Sequence, residues 1–141
     1  MRFRRAGDTY IVRLDSGEGI IETLTAFCAA EGIRAASITG VGTCVEAELG
    51  SLDWETKIHR PRKIAEHCEI AALVGNVSVQ DGKPLVHLHA TLADAECRSY
   101  SGHLHEALIK ATGEIIITPL PGELRRTKDP DTGLNLIDPR H

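Results

Sequence analysis

The chain has 141 residues, 42% of them hydrophobic and 26% charged, with a formal net charge of −4. That length predicts one domain over 1–141 with a single sizeable core, and the interspersed charges give no overall drive toward nucleic acid or an anionic membrane. No apolar stretch reaches the length of a membrane span, and Met1-Arg2-Phe3-Arg4-Arg5 lacks the apolar run of a secretory signal, so a cytoplasmic protein with no membrane partner is expected.

Residues 9–14, TYIVRL, alternate and are rich in β-formers, which predicts the first strand. Asp15-Ser16-Gly17-Glu18 supplies a helix start, Ile20, Ile21, Leu24, Phe27 and Cys28 recur at helical spacing as one apolar stripe, and Gly32 supplies the stop. A short strand at 35–39 meets the corner Gly40-Val41-Gly42, which leads into another strand at 44–52. The corner is not a dinucleotide fingerprint, because Val45 stands where the third glycine would be. Residues 53–66, with Trp54, Pro61 and mixed charge, read as an exposed connection.

A strand interrupted by Gly75 follows over 70–79, and Asp81-Gly82 signals a hairpin into the next strand, 85–91. After a turn at 93–96, residues 104–111 fit a helix as well as a strand. Residues 114–118 form the last clear strand, and 119–141 read as an irregular tail behind a core of about 8–118. Cys28, Cys44, Cys68 and Cys97 are scattered and read as small apolar core residues. Hairpin-connected strands with one amphipathic helix predict an α+β fold with a largely antiparallel sheet.

The chemistry-bearing motif is His87-Leu88-His89 on the strand at 85–91, with His103 returning after the turn. Side chains two apart on a strand leave the same face with Cα atoms roughly 6.5–7 Å apart, so the two imidazoles can converge on one ion, and a returning strand can aim His103 at the same point. Three neutral imidazoles with an open fourth position are the ligand set of a catalytic or binding zinc site, although imidazole also suits other divalent metals. His105 repeats the pattern, as a fourth ligand, a supporting partner or a solvent-facing residue.

The ordered set of an opening strand, Gly17-Glu18-Gly19-Ile20, Thr39-Gly40-Val41-Gly42, Glu69-Ile70 to Gly75-Asn76-Val77, Asp81-Gly82-Lys83, His87-Leu88-His89 and Gly102-His103-Leu104 resembles the plants and prokaryotes conserved (PPC) domain family over roughly 8–118. The resemblance implies a compact α+β domain that forms a homotrimer, of the prokaryotic branch that keeps three histidines rather than the plant branch that carries an AT-hook. It implies His87, His89 and His103 as metal ligands. The family fold is similar to that of acetolactate decarboxylase, a zinc enzyme, which by analogy suggests a lyase or hydrolase acting on a small carbonyl or carboxylate compound. Ser101-Gly102 stands where the family usually has two glycines, and His105-Glu106 occupies a stretch that is usually apolar.

Such chemistry needs a proton shuttle, and Glu69, Glu106 and Glu114 lie nearest the motifs, with Glu106, just past His103, the candidate catalytic residue. Arg125-Arg126 could orient an anionic substrate. The alternative partner is DNA, through Lys57, Arg60, Arg62 and Lys63. The run His59-Arg60-Pro61-Arg62-Lys63 resembles an AT-hook but lacks its Gly-Arg-Pro core, so this patch predicts only weak, salt-sensitive binding.

Overall fold

The computed structural model describes residues 1–140, and of His59 the backbone alone. Its elements in chain order are β1 (Arg2–Ala6), β2 (Thr9–Asp15), α1 (Ile20–Ala30), β3 (Ala36–Asp53), β4 (Ile58–Ile64), β5 (Cys68–Gln80), β6 (Lys83–Ala93), β7 (Ser99–Pro119), β8 (Arg126–Lys128) and β9 (Asn135–Ile137). The first seven strands make one antiparallel sheet in the order β1-β2-β7-β6-β5-β3-β4, and a further β7–β3 pairing closes the ring β7-β6-β5-β3. The expected α+β architecture is therefore present, with one helix laid against β6 and β7.

The helix stripe is the predicted one. Ile20, Leu24, Phe27 and Cys28 are buried in one cluster with the inward-facing Leu14, Leu88, Leu104 and Ile109. Full burial of each large apolar side chain contributes about 1.5–3 kcal/mol before conformational entropy is set against it. Gly32, at φ +67, ends the helix as expected. Asp81 and Gly82, at φ +51 and +77, form the two-residue turn between β5 and β6, because both positions need the left-handed region.

Several boundaries differ from the sequence reading. A strand precedes residues 9–14: β1 is exposed along its whole length and has no apolar alternation to reveal it, yet it pairs with β2 from Arg2↔Arg13 to Ala6↔Thr9. The two strands expected on either side of Gly40-Val41-Gly42 are one, β3, and the glycines mark a bulge rather than a corner. A Cβ on Gly42 would lie 2.3 Å from the Thr112 carbonyl oxygen, so the glycine is there for strand approach.

The segment at 53–66 is not an irregular connection but a hairpin. Asp53 accepts backbone bonds from Glu55 and Thr56 at 2.9 and 3.0 Å, and β4 returns along β3 as the sheet edge, where Pro61 is tolerated. Residues 104–111 are strand, the middle of β7. The tail is ordered into the small β8–β9 ladder, docked by a 2.6 Å bond from the Val79 amide to the Leu124 carbonyl.

Three cysteines are core residues as expected, whereas Cys97 is exposed in the turn before β7. Burial pushes the Cys44 thiol up to about 12, which makes it a packing residue and a poor nucleophile.

Candidate metal centre

Along β6, Val86, Leu88, Ala90 and Leu92 are buried, so His87 and His89 are carried on the opposite face of the sheet. The ladder puts Asn76 across from His87, and both Val74 and His103 across from His89, one on each neighbouring strand. What brings β7 back in this register is the turn built on Asp94. Its carboxylate accepts the amides of Glu96 and Arg98 at 3.0 and 2.9 Å, the Arg98 Nε at 2.8 Å and the Tyr100 hydroxyl at 3.0 Å.

Burial raises the Asp94 carboxyl, but the bonds from Arg98 and Tyr100 outweigh it and hold the group below its ordinary 3.8. A carboxyl with a depressed folded-state value contributes stability that is present above 3.8 and lost as pH falls through the folded value. Asp94→Asn is therefore expected to lower the thermal midpoint at neutral pH, with the gap to wild type closing in acid. A gap that stays constant as the pH is lowered would contradict this account of the turn.

The three imidazole rings close on one another, with centroids 5.4 Å apart for His87–His89, 4.9 Å for His87–His103 and 5.6 Å for His89–His103. One ring nitrogen of each lies within 4.8 Å of the others. Tetrahedral zinc with bonds of about 2.05 Å needs nitrogens about 3.4 Å apart, a gap that small ring rotations close. The donor set therefore fits a divalent ion.

The histidines open onto a cavity of about 360 Å³ that Ser51 and Ser101 also line, the Ser101 hydroxyl lying 3.1 Å from that of Thr91. Gly102 lets β3 pass behind, since a Cβ there would lie 2.7 Å from the Gly50 carbonyl oxygen. Arg126 reaches in from the tail, with its Nη2 3.0 Å from His87 Nδ1.

The other expected residues are elsewhere. The His105 ring is 4.9 Å from that of His103, but it lines a separate cavity with Glu48 and Lys63 and is not in the ligand group. Glu69 lines a cavity beside Cys44 and Cys68, and Glu114 one on the outer sheet face.

Glu106 is not brought to the histidines. Gly19, at the helix N-cap position, has no side chain to offer, and the Glu106 carboxylate accepts the orphan amides of Ile21 and Glu22 at 2.9 and 3.0 Å. Sequence spacing could not show this, because the cap comes from a strand 85 residues away. Glu106→Ala is expected to destabilise the fold by about 1–2 kcal/mol, as loss of a cap does, while metal content stays at the wild-type level. Urea unfolding and elemental analysis of the same sample check both halves.

The basic patch is spread along the edge hairpin. Arg60 pairs with Asp53, Lys63 lies 4.0 Å from Glu48, Lys57 sits 4.9 Å over the Trp54 ring, and Arg62 stacks 4.9 Å over Tyr100. Arg60 and Lys63 face carboxylates, which reduces the charge they offer to a phosphate backbone, whereas Lys57 and Arg62 lie over neutral rings and keep theirs. Arg125 is likewise paired with Glu123, whereas its neighbour Arg126 is the one that enters the site. No helix among the described residues is long and apolar enough to cross a membrane.

The family model of the Plants and Prokaryotes Conserved (PCC) domain matches residues 1–121. The chain belongs to this family. The PCC domain here is similar to a solved Bacteroides thetaiotaomicron protein provisionally described as DNA-binding, at 31% identity and a TM-score of 0.95, with 99% of this chain and 98% of that one covered. It is similar also to a protein from Archaeoglobus fulgidus described as metal-containing, at 35% identity and a TM-score of 0.86, with 97% and 98% covered. Among curated proteins it matches the bifunctional protein GlmU of Synechococcus sp. (strain JA-2-3B'a(2-13)), 32% identical over 131 residues. The match covers 92% of this chain but only 19% of that relative's own length.

Proposed function

We propose that this PCC domain is a homotrimeric zinc protein whose centre, held by His87, His89 and His103, binds or transforms a small molecule, with lyase or hydrolase chemistry the candidate reaction. The observation that carries the reading is the convergence of the three imidazoles on one open cavity, and the similarity to a metal-containing protein supports it. A zinc ion with three imidazole ligands keeps a position where a carbonyl or carboxylate oxygen is polarised or water is acidified. The chain's own part is to fix the imidazoles on two paired strands and to place the Arg126 guanidinium beside His87.

Self-association, which the trimer requires, is supported by an outer-face groove of about 650 Å³ lined by Ile11, Val41, Val74 and Ile116, of which Val41 and Val74 are 50% and 51% exposed. Apolar surface gathered in this way is normally covered by a partner. Light scattering that returns the mass of one chain would sink that part. The test of the centre itself is elemental analysis of untagged protein, where about one zinc per chain is expected and a metal-free protein would refute the reading.

DNA binding through Lys57, Arg60, Arg62 and Lys63 is the second reading, favoured by the similarity to a protein provisionally described as DNA-binding. It requires a duplex gel shift that weakens steeply with salt.

A further inference from the structure

Arg126 is held entirely by neutral groups. Its Nε donates to Ser78 Oγ at 2.8 Å, Nη1 to the Asn135 carbonyl at 2.9 Å, and Nη2 to Asn76 Oδ1 at 3.2 Å, beside its 3.0 Å contact with His87 Nδ1. Arg34, Arg60, Arg98, Arg125 and Arg140 each pair with a carboxylate, and Arg126 has none among the described residues. Among the described residues the cavity that His87 lines has no acidic member, only the three histidines, Ser51, Ser101, two glycines and Leu52.

The contact with His87 also constrains the loaded state. A guanidinium only donates, so Nδ1 of His87 accepts. A neutral imidazole bound to a metal through one nitrogen carries its proton on the other and donates from it. Metal at Nδ1 displaces Arg126, and metal at Nε2 turns Nδ1 into a donor facing a donor. Either way the guanidinium leaves that nitrogen when the ion enters.

The loaded site then holds two charges from the metal and one from Arg126, with three neutral ligands and, among the described residues, no carboxylate in the cavity lining to balance them. We propose that Arg126 selects a small oxyanion, carboxylate or phosphate, as the molecule that completes the metal centre. This rests on the zinc reading above and specifies the class of ligand. The planar fork suits both anions, and a cavity of about 360 Å³ restricts them to compact ones.

The test is calorimetric titration of zinc-loaded protein with acetate, with inorganic phosphate and with the neutral analogue acetamide, alongside zinc content by mass spectrometry. Saturable binding of acetate or phosphate, but not of acetamide, is expected, and which of the two binds tighter identifies the source. Arg126→Gln should weaken the preferred anion roughly ten- to a hundredfold, as loss of a charge-assisted bond does, while zinc stays bound.

Arg34→Gln removes a tail anchor, the 2.6 Å ion pair with Glu123, and leaves every contact of Arg126 in place, so anion affinity within a few-fold of wild type is expected. A loss in Arg34→Gln as large as in Arg126→Gln would assign the effect to tail docking and overturn the proposal. So would unchanged affinity in Arg126→Gln, or a loaded wild type that binds neither anion. A wild-type chain that takes up no zinc overturns the metal reading along with this one, and the zinc content tells the two failures apart.

Discussion

Alanine in place of His87 or His103 is expected to strip the metal from the protein, with affinity falling by more than about a hundredfold. Removing a group that merely supports a ligand already costs 10- to 100-fold in known sites, and here one of three direct donors is lost. The fold should survive, because neither side chain belongs to the buried cluster that holds the helix to the sheet. His105→Ala is the internal control. Its ring is 4.9 Å from that of His103 but it lies outside the ligand group, so its zinc content should match wild type. Mass spectrometry of the three purified variants decides the matter. Retention of zinc by both His87→Ala and His103→Ala would mean that the ion, if present, sits elsewhere.

The His87 and His89 pair was legible because strand alternation is a local rule, and Leu88 between them marks the buried face without any knowledge of the fold. His103 was legible once the turn at Asp94 was recognised, since a tight return leaves little freedom of register. Arg125-Arg126 was legible as a candidate anion-orienting pair, but the contacts that sequence could not show share the opposite character. The carboxylate of Glu106 caps a helix 84 and 85 residues before it, and Arg126 reaches His87 across a separation of 39. Spacing along the chain carries no trace of either. β1 escaped because an exposed strand has no apolar period, and β4 because charge and a proline imitate a loop when the strand lies at an edge. The continuity of β3 was hidden by its glycines, which in sequence read as a turn and in three dimensions admit a neighbouring strand.

The same physics makes Gly75 the position where one methyl group should do most harm. Gly75 lies opposite Leu88 in the β5–β6 ladder, and a Cβ built there would stand 1.9 Å from the His87 carbonyl oxygen and 2.9 Å from the Leu88 Cα. Both obstacles are backbone, so no side chain can swing aside. The strands must separate where His87 is anchored. Gly75→Ala is expected to destabilise the protein by about 3 kcal/mol or more, at or beyond the upper end of the range for overpacking, and to weaken metal binding in the molecules that remain folded.

Gly82→Ala is the useful contrast. Nothing lies within 4 Å of its added Cβ, and its φ of +77 charges only a conformational penalty of about 1 kcal/mol, remote from the histidines. Urea unfolding of both variants, with zinc content measured on the same samples, separates the two effects. A Gly75→Ala protein as stable and as zinc-rich as Gly82→Ala would show that β5 and β6 can part without cost at His87, and the metal centre would then not depend on their close approach.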